Sequence, residues 1–197
     1  MRLRNRLLFS LLSLMLVGFS TQAFSQEKAS RNDVKFTLLS LGSGSTRITY
    51  EHAFSPEYSA EFTLGIIGMG WDWMNNSNPT GLLTKLAYKT RLIPQRSSAS
   101  WLAGFYGKPE LVFAHFAYSV PSRGDGLDEC GLTTSQLALL VEVGYQYVYR
   151  WFVFDIYSGL GPSVGNGNKN NYFHSFMLFP REGWLAFTAG FRIGVAF

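Results

Sequence analysis

Cysteine is almost absent from this 197-residue chain, and the single Cys130 excludes a disulfide within it. Charged residues are scarce too, at 15% of the sequence, which suits strands that alternate between lipid and lumen. After residue 25 no apolar run is long enough for a membrane-spanning helix. No phosphate loop, zinc-ligand spacing or dinucleotide fingerprint occurs, so no cofactor is expected and no metal site is predicted. Histidine appears only as His52, His115 and His174, none within a recognisable nucleophile motif.

What the sequence does contain begins with a basic segment, Arg2, Arg4 and Arg6, followed by a short apolar stretch from Leu7 to Phe19. Small residues at Ala23 and Ser25 then offer a cleavage point before Gln26, so residues 1–25 read as a secretory signal peptide. Their removal takes three of the 17 basic residues and none of the 13 acidic ones, leaving 14 against 13. The basic character therefore belongs to the leader, and no nucleic-acid partner is expected. Cys130 lies far from that cleavage point, which excludes lipid attachment at a new N-terminal cysteine.

The last stretch, residues 184–197, sets the architecture. Leu185, Phe187, Ala189, Phe191, Ile193, Val195 and Phe197 alternate with Ala186, Thr188, Gly190, Arg192, Gly194 and Ala196. Period two over this length is a strand with one apolar face and one small, partly polar face. Similar alternation recurs along the chain. After a polar stub, residues 26–33, eight strands are predicted over 34–41, 45–54, 60–71, 82–93, 109–119, 135–149, 152–163 and 184–197. Most approach the ~9–11 residues that a tilted strand needs to cross hydrocarbon.

Parity assigns the faces. On the fourth strand Leu82, Leu86, Tyr88 and Leu92 oppose Lys85, Lys89 and Arg91. Turning three cations to lipid would cost about 2–4 kcal/mol each near the midplane, so they are expected inside. The same argument sends Ile48, Tyr50, Phe62, Leu64, Leu137, Leu139, Phe154 and Ile156 outward. The expected fold is all-β: an eight-stranded antiparallel up-and-down transmembrane β-barrel over residues 34–197. A two-residue hairpin at Arg150-Trp151 makes Tyr149 oppose Phe152. The connection before the fifth strand is read as a loop under the barrel, with a helical turn over Ser98 to Leu102.

An export signal, eight amphipathic strands, long loops and a terminal pattern ending in Phe197 resemble the OmpA/OmpX-type small outer-membrane barrels, here without a periplasmic domain. Phe191, Ile193, Val195 and Phe197 carry the motif-like part, an assembly signal. The resemblance implies the outer membrane of a Gram-negative cell, contact with outer-membrane lipid and the barrel-assembly machinery, a monomer, and loops open to an extracellular ligand.

Two regions of the lumen are candidate sites. Lys35, Arg47, Lys85, Lys89, Arg91 and Arg192 face Glu51, Glu61, Glu110, Glu142 and Asp155, and a narrow barrel persists with such charges only if they pair. Glu61 and Glu110, on the strands flanking the fourth, are the expected partners of Lys89 and Arg91. Toward the other end, Leu39, Ile67, Met69, Leu83, Phe116, Leu140 and Trp184 are expected inward, with Gly65, Gly159 and Gly161 beside them. They form either a packed cluster or an apolar pocket for one acyl chain. The expected function is a structural or surface-interaction barrel with a charge-plugged lumen. The alternative is a lipid- or acyl-chain-binding barrel, or an enzyme acting on outer-leaflet lipid. His115 falls on an outward position with no His-x-Ser motif around it. The acidic group Asp125, Asp128 and Glu129 and the adjacent His174 and Ser175 lie in predicted loops.

Overall fold

The computed structural model describes residues 29–71, 79–94, 100–120, 130–166, 176–177 and 184–197. Its strands are β1 (Asn32–Thr37), β2 (Ser45–Ala53), β3 (Tyr58–Ile67), β4 (Thr80–Pro94), β5 (Gly104–Val120), β6 (Cys130–Tyr149), β7 (Phe152–Asn166), β8 (Phe176–Met177) and β9 (Leu185–Ala196). Consecutive strands from β1 to β7 pair antiparallel, β7 pairs with β9, and β9 returns to β1. The result is a closed, eight-stranded antiparallel barrel, with β8 as a two-residue addition on β9. Closure leaves the ring without a free edge.

Alternation builds the wall as the sequence predicts. Inward positions such as Thr49, Glu51, Lys85, Lys89, Glu110 and Glu142 are buried, while Phe62, Leu64, Leu86, Leu139 and Ile156 are exposed on the outside. Tyr149 opposes Phe152 across the Arg150-Trp151 hairpin, and Arg150 takes the positive φ of 56° that this tight turn requires.

Several strand boundaries differ from expectation. β3 stops at Ile67 rather than residue 71, β6 begins at Cys130 rather than 135, and β7 runs to Asn166 rather than 163. Three further differences have physical reasons. The first strand stops at Thr37, and residues Leu39–Gly42 form a short helix, α1. Serine hydroxyls compete with the ladder there: Ser40 Oγ donates to the Thr37 carbonyl at 2.6 Å and Ser43 Oγ to the Ser40 carbonyl at 3.0 Å. The fifth strand begins at Gly104 rather than residue 109, because Pro109 sits where the β4–β5 ladder lapses. That ladder runs to Ala87↔Glu110 and resumes at Thr90↔Gly107, so the proline's missing N–H leaves no broken bond. The polar stub is shorter than expected, since Asn32 and Asp33 already belong to β1.

Of the connection before β5, residues 100–103 pass beneath the barrel, without helical structure. Ser30 and Ser100 form a parallel bridge, Arg31 lies 3.8 Å over the Trp101 ring, and Leu102 is fully buried against Ala53, Val153 and Ala196. Residues 98–99 of the expected turn lie outside the described residues. So do residues 1–25, the expected leader, the acidic group at 125–129 and the His174-Ser175 pair.

Candidate functional site

The lumen has three levels. The floor is the small apolar cluster around Leu102 at the end that carries the termini and the β6–β7 hairpin. Above it lies a layer of ion pairs, and above that an apolar cluster of Ile67, Leu83, Val112, Ala114, Phe116, Tyr118, Ala138, Leu140 and Ala186.

Two carboxylates on neighbouring strands are the hubs of the charged layer. Glu51 on β2 uses Oε2 for Lys35 at 2.5 Å and Lys89 at 2.8 Å, while Oε1 accepts from Ser59 at 2.6 Å and from Arg91. Glu61 on β3 turns Oε1 to Lys89 at 2.6 Å and Lys35 at 2.8 Å. Its Oε2 meets Lys108 and, at 3.4 Å, Arg192. Each hub thus answers cations from strands on both sides of its own. A desolvated carboxylate can persist in such surroundings only because each oxygen has partners.

The remaining pairs extend this layer around the wall. Glu110 holds Lys85 at 2.6 Å and Lys108 at 3.0 Å, and Lys108 also meets Glu142 at 3.1 Å. Asp155 opposes Arg192 in register and binds it at 2.9 Å, while the Tyr106 hydroxyl donates to the other Asp155 oxygen at 2.6 Å. Gln146 is a neutral bridge: its amide donates to Asp33 at 2.7 Å and its oxygen accepts from Lys89 at 2.7 Å. Aromatic faces cover cations as well, with Lys89 lying 4.1 Å from the Tyr106 ring centroid and Arg192 lying 4.4 Å from that of Tyr157.

All eleven charged positions named from the sequence are buried: Lys35, Arg47, Glu51, Glu61, Lys85, Lys89, Arg91, Glu110, Glu142, Asp155 and Arg192. Two partnerships differ from expectation. Arg91 is bound by Glu51, and Glu110 serves Lys85 and Lys108 instead of Lys89 or Arg91. Arg91 on β4 reaches past β3 to Glu51 on β2, while Glu110 on β5 does pair with a neighbouring strand, but with Lys85 of β4 and with Lys108 of its own strand. Asp33, Tyr106 and Lys108 join the layer without having been expected there. Period two pointed to them (Asp33 with Lys35, and Tyr106 and Lys108 with Glu110), but Pro109 and the assumed stub hid the signal.

The upper apolar positions divide. Ile67, Leu83, Phe116 and Leu140 point inward and are buried together. Leu39 does not, since it sits on α1 and is 46% exposed. Trp184 precedes β9 and is 56% exposed, while Met69 lies in the turn after β3, where its carbonyl accepts from the Thr46 hydroxyl. Nor do the glycines leave open space. A Cβ on Gly159 would lie 2.6 Å from Glu142 Cγ and from the Val141 carbonyl oxygen, and one on Gly65 would lie 3.1 Å from Leu83. A groove of about 550 Å³ occurs instead on the outer wall, between Phe105, Tyr145, Ile156 and Phe191 and across the small Ser158 and Ala189.

No family model, curated protein or solved structure matches the chain.

Proposed function

We propose that the chain is an outer-membrane barrel with a structural or surface-interaction role, its lumen closed by the charge network and its long loops turned to the outside of a Gram-negative cell. The observation that carries this reading is the inverted polarity of the wall. Leu, Ile, Val, Phe and Tyr side chains are exposed on the outside of every strand from β2 to β7, while Lys, Arg, Glu and Asp are buried within. In water so continuous an apolar exterior would drive association; in a bilayer it is covered by acyl chains.

The same geometry favours a structural role over an acyl chain held in the lumen. The upper level is occupied by Leu83, Phe116 and Leu140 in contact with one another, and the charged level below has its own side chains as partners. On this reading the chain leaves its leader behind, is folded by the barrel-assembly machinery and works as a monomer, any extracellular ligand meeting the loops. Fractionation of the native host tests it: the mature chain is expected in the outer membrane, with faster gel migration before heating than after. Recovery as a soluble periplasmic protein would overturn the membrane assignment.

A further inference from the structure

His115 and Ser135 stand directly opposite each other on β5 and β6, both on the outer wall, with His115 Nδ1 2.8 Å from Ser135 Oγ. A histidine is unexpected among the large apolar side chains of this wall, and its Nδ1 lies within hydrogen-bond distance of a hydroxyl. The distance is that of a nucleophile and its general base. The pair comes from two strands, so no local sequence motif announces it.

Its height on the barrel is equally specific. One row toward the loop end, Thr80, Ala117 and Thr133 face out, where the wall turns small and polar. One row toward the termini the outward residues are Thr84, Phe113 and Leu137, and the next row is Leu86, Leu111 and Leu139. The pair therefore sits at the margin of the apolar band. Resting on the outer-membrane reading, that margin is the level of the acyl ester bonds of outer-leaflet lipid, whose chains would run down the leucine rows below.

We propose that His115 and Ser135 cleave acyl esters of outer-leaflet lipid. Ser135 Oγ attacks the ester carbonyl carbon as its proton passes to His115 Nδ1. The carbon–oxygen bond to the lipid alcohol then breaks, and that alcohol takes the proton from His115. Water, deprotonated by the same imidazole, attacks the acyl-serine ester, releases the fatty acid and restores the hydroxyl. Each turnover consumes one ester and one water and yields one alcohol and one carboxylic acid.

The test uses the mature chain refolded in detergent micelles and treated with a long-chain alkyl fluorophosphonate, followed by mass spectrometry of the peptides. We expect an adduct on Ser135, none in Ser135→Ala, and labelling slowed roughly 10²–10⁴-fold in His115→Ala. Inserted into vesicles, the wild-type chain should release fatty acid and deacylated lipid in equal amounts. Vesicles of diacyl glycerophospholipid and of lipid A serve as separate arms, and release from either supports the proposal and identifies the source. Absence of the Ser135 adduct in a chain that still inserts and shifts on heating overturns the dyad alone, leaving a hydrogen bond that merely satisfies two polar groups. A chain that fails to insert overturns the membrane reading as well.

Discussion

Glu61 Oε1 lies 2.6 Å from Lys89 Nζ, and the same oxygen lies 2.8 Å from Lys35 Nζ. One carboxylate oxygen thus joins β1, β3 and β4, while the other reaches Lys108 on β5 and Arg192 on β9. Removing its charge strands several buried cations at once. Glu61→Gln is expected to cost about 3–5 kcal/mol, the range found when one member of a buried pair is deleted. Adding Lys89→Met should recover part of that loss. Guanidinium titration of the single and double variants in micelles measures the coupling, and strictly additive losses would show that the two side chains act independently.

The outer wall makes a different demand. Leu139 is exposed midway along β6, two rows below Ser135, whereas Thr133 lies at the rim. Under the membrane reading Leu139→Arg should destabilise folding into lipid vesicles by about 2–4 kcal/mol, and Thr133→Arg by about 0–1 kcal/mol. Equal effects at the two heights would be incompatible with a bilayer around this band.

Most of this architecture was legible because a strand's side chains obey a period of two and a charge facing hydrocarbon is prohibitive. The alternation of Leu82, Leu86 and Tyr88 with Lys85 and Lys89 suffices to fix which face is which. What the alternation does not carry is how far a side chain reaches. Arg91 on β4 therefore reaches past β3 to Glu51 on β2, and Glu110 on β5 settles on Lys85 of β4 and Lys108 of its own strand. Local competitors were also invisible to a periodic reading, as at Ser40 and Ser43, whose hydroxyls end β1 early. The His115–Ser135 contact was hidden for the same reason as the long-range ion pairs, since register between strands is a tertiary property.

Phe197 extends the β1–β9 seam that closes the ring by one further backbone pair. Phe197 donates its N–H to the Asn32 carbonyl at 2.9 Å, and Asn32 donates back to the Phe197 carbonyl at 3.1 Å. Deleting Phe197 removes that reciprocal pair and the outward aromatic ring together, whereas Phe197→Asp keeps the backbone bonds but exchanges the ring for a charge on the outer face. If the aromatic ring is the assembly signal, both variants should give reduced folded yield in the outer membrane. If the backbone pair matters more, Phe197→Asp will assemble and the deletion will not, as heat-shift assays on isolated membranes would show.

The floor gives a test that separates stability from permeation. Leu102 is fully buried among Ala53, Val153 and Ala196 at the terminal end. Leu102→Ala should cost about 2–5 kcal/mol, the usual range for truncating a buried leucine. The ion-paired level above is untouched by that change, so planar-bilayer recordings of the variant should show no more conductance than wild type. Steady channels in Leu102→Ala would mean that the floor, not the ion pairs, closes the barrel.

Two glycines on neighbouring strands should respond oppositely to the same substitution. Gly144 faces inward beneath Tyr106, and a Cβ there would lie 2.5 Å from the ring's Cζ and hydroxyl and 2.6 Å from the Ile156 carbonyl oxygen. Tyr106 cannot retreat without losing its 2.6 Å hydrogen bond to Asp155 and uncovering Lys89. Overpacking of this kind typically costs about 1–3 kcal/mol. Gly107, by contrast, would place a Cβ no nearer than 3.9 Å to the Glu142 carbonyl oxygen and to Leu92, which is ordinary contact. Gly107→Ala should therefore be neutral or slightly stabilising, through reduced freedom of the unfolded chain. Denaturation midpoints of the two variants, measured side by side, decide the matter: Gly144→Ala should fall well below wild type and Gly107→Ala should not. Equal midpoints would mean that the Tyr106 ring can shift without loss and does not rest on the glycine.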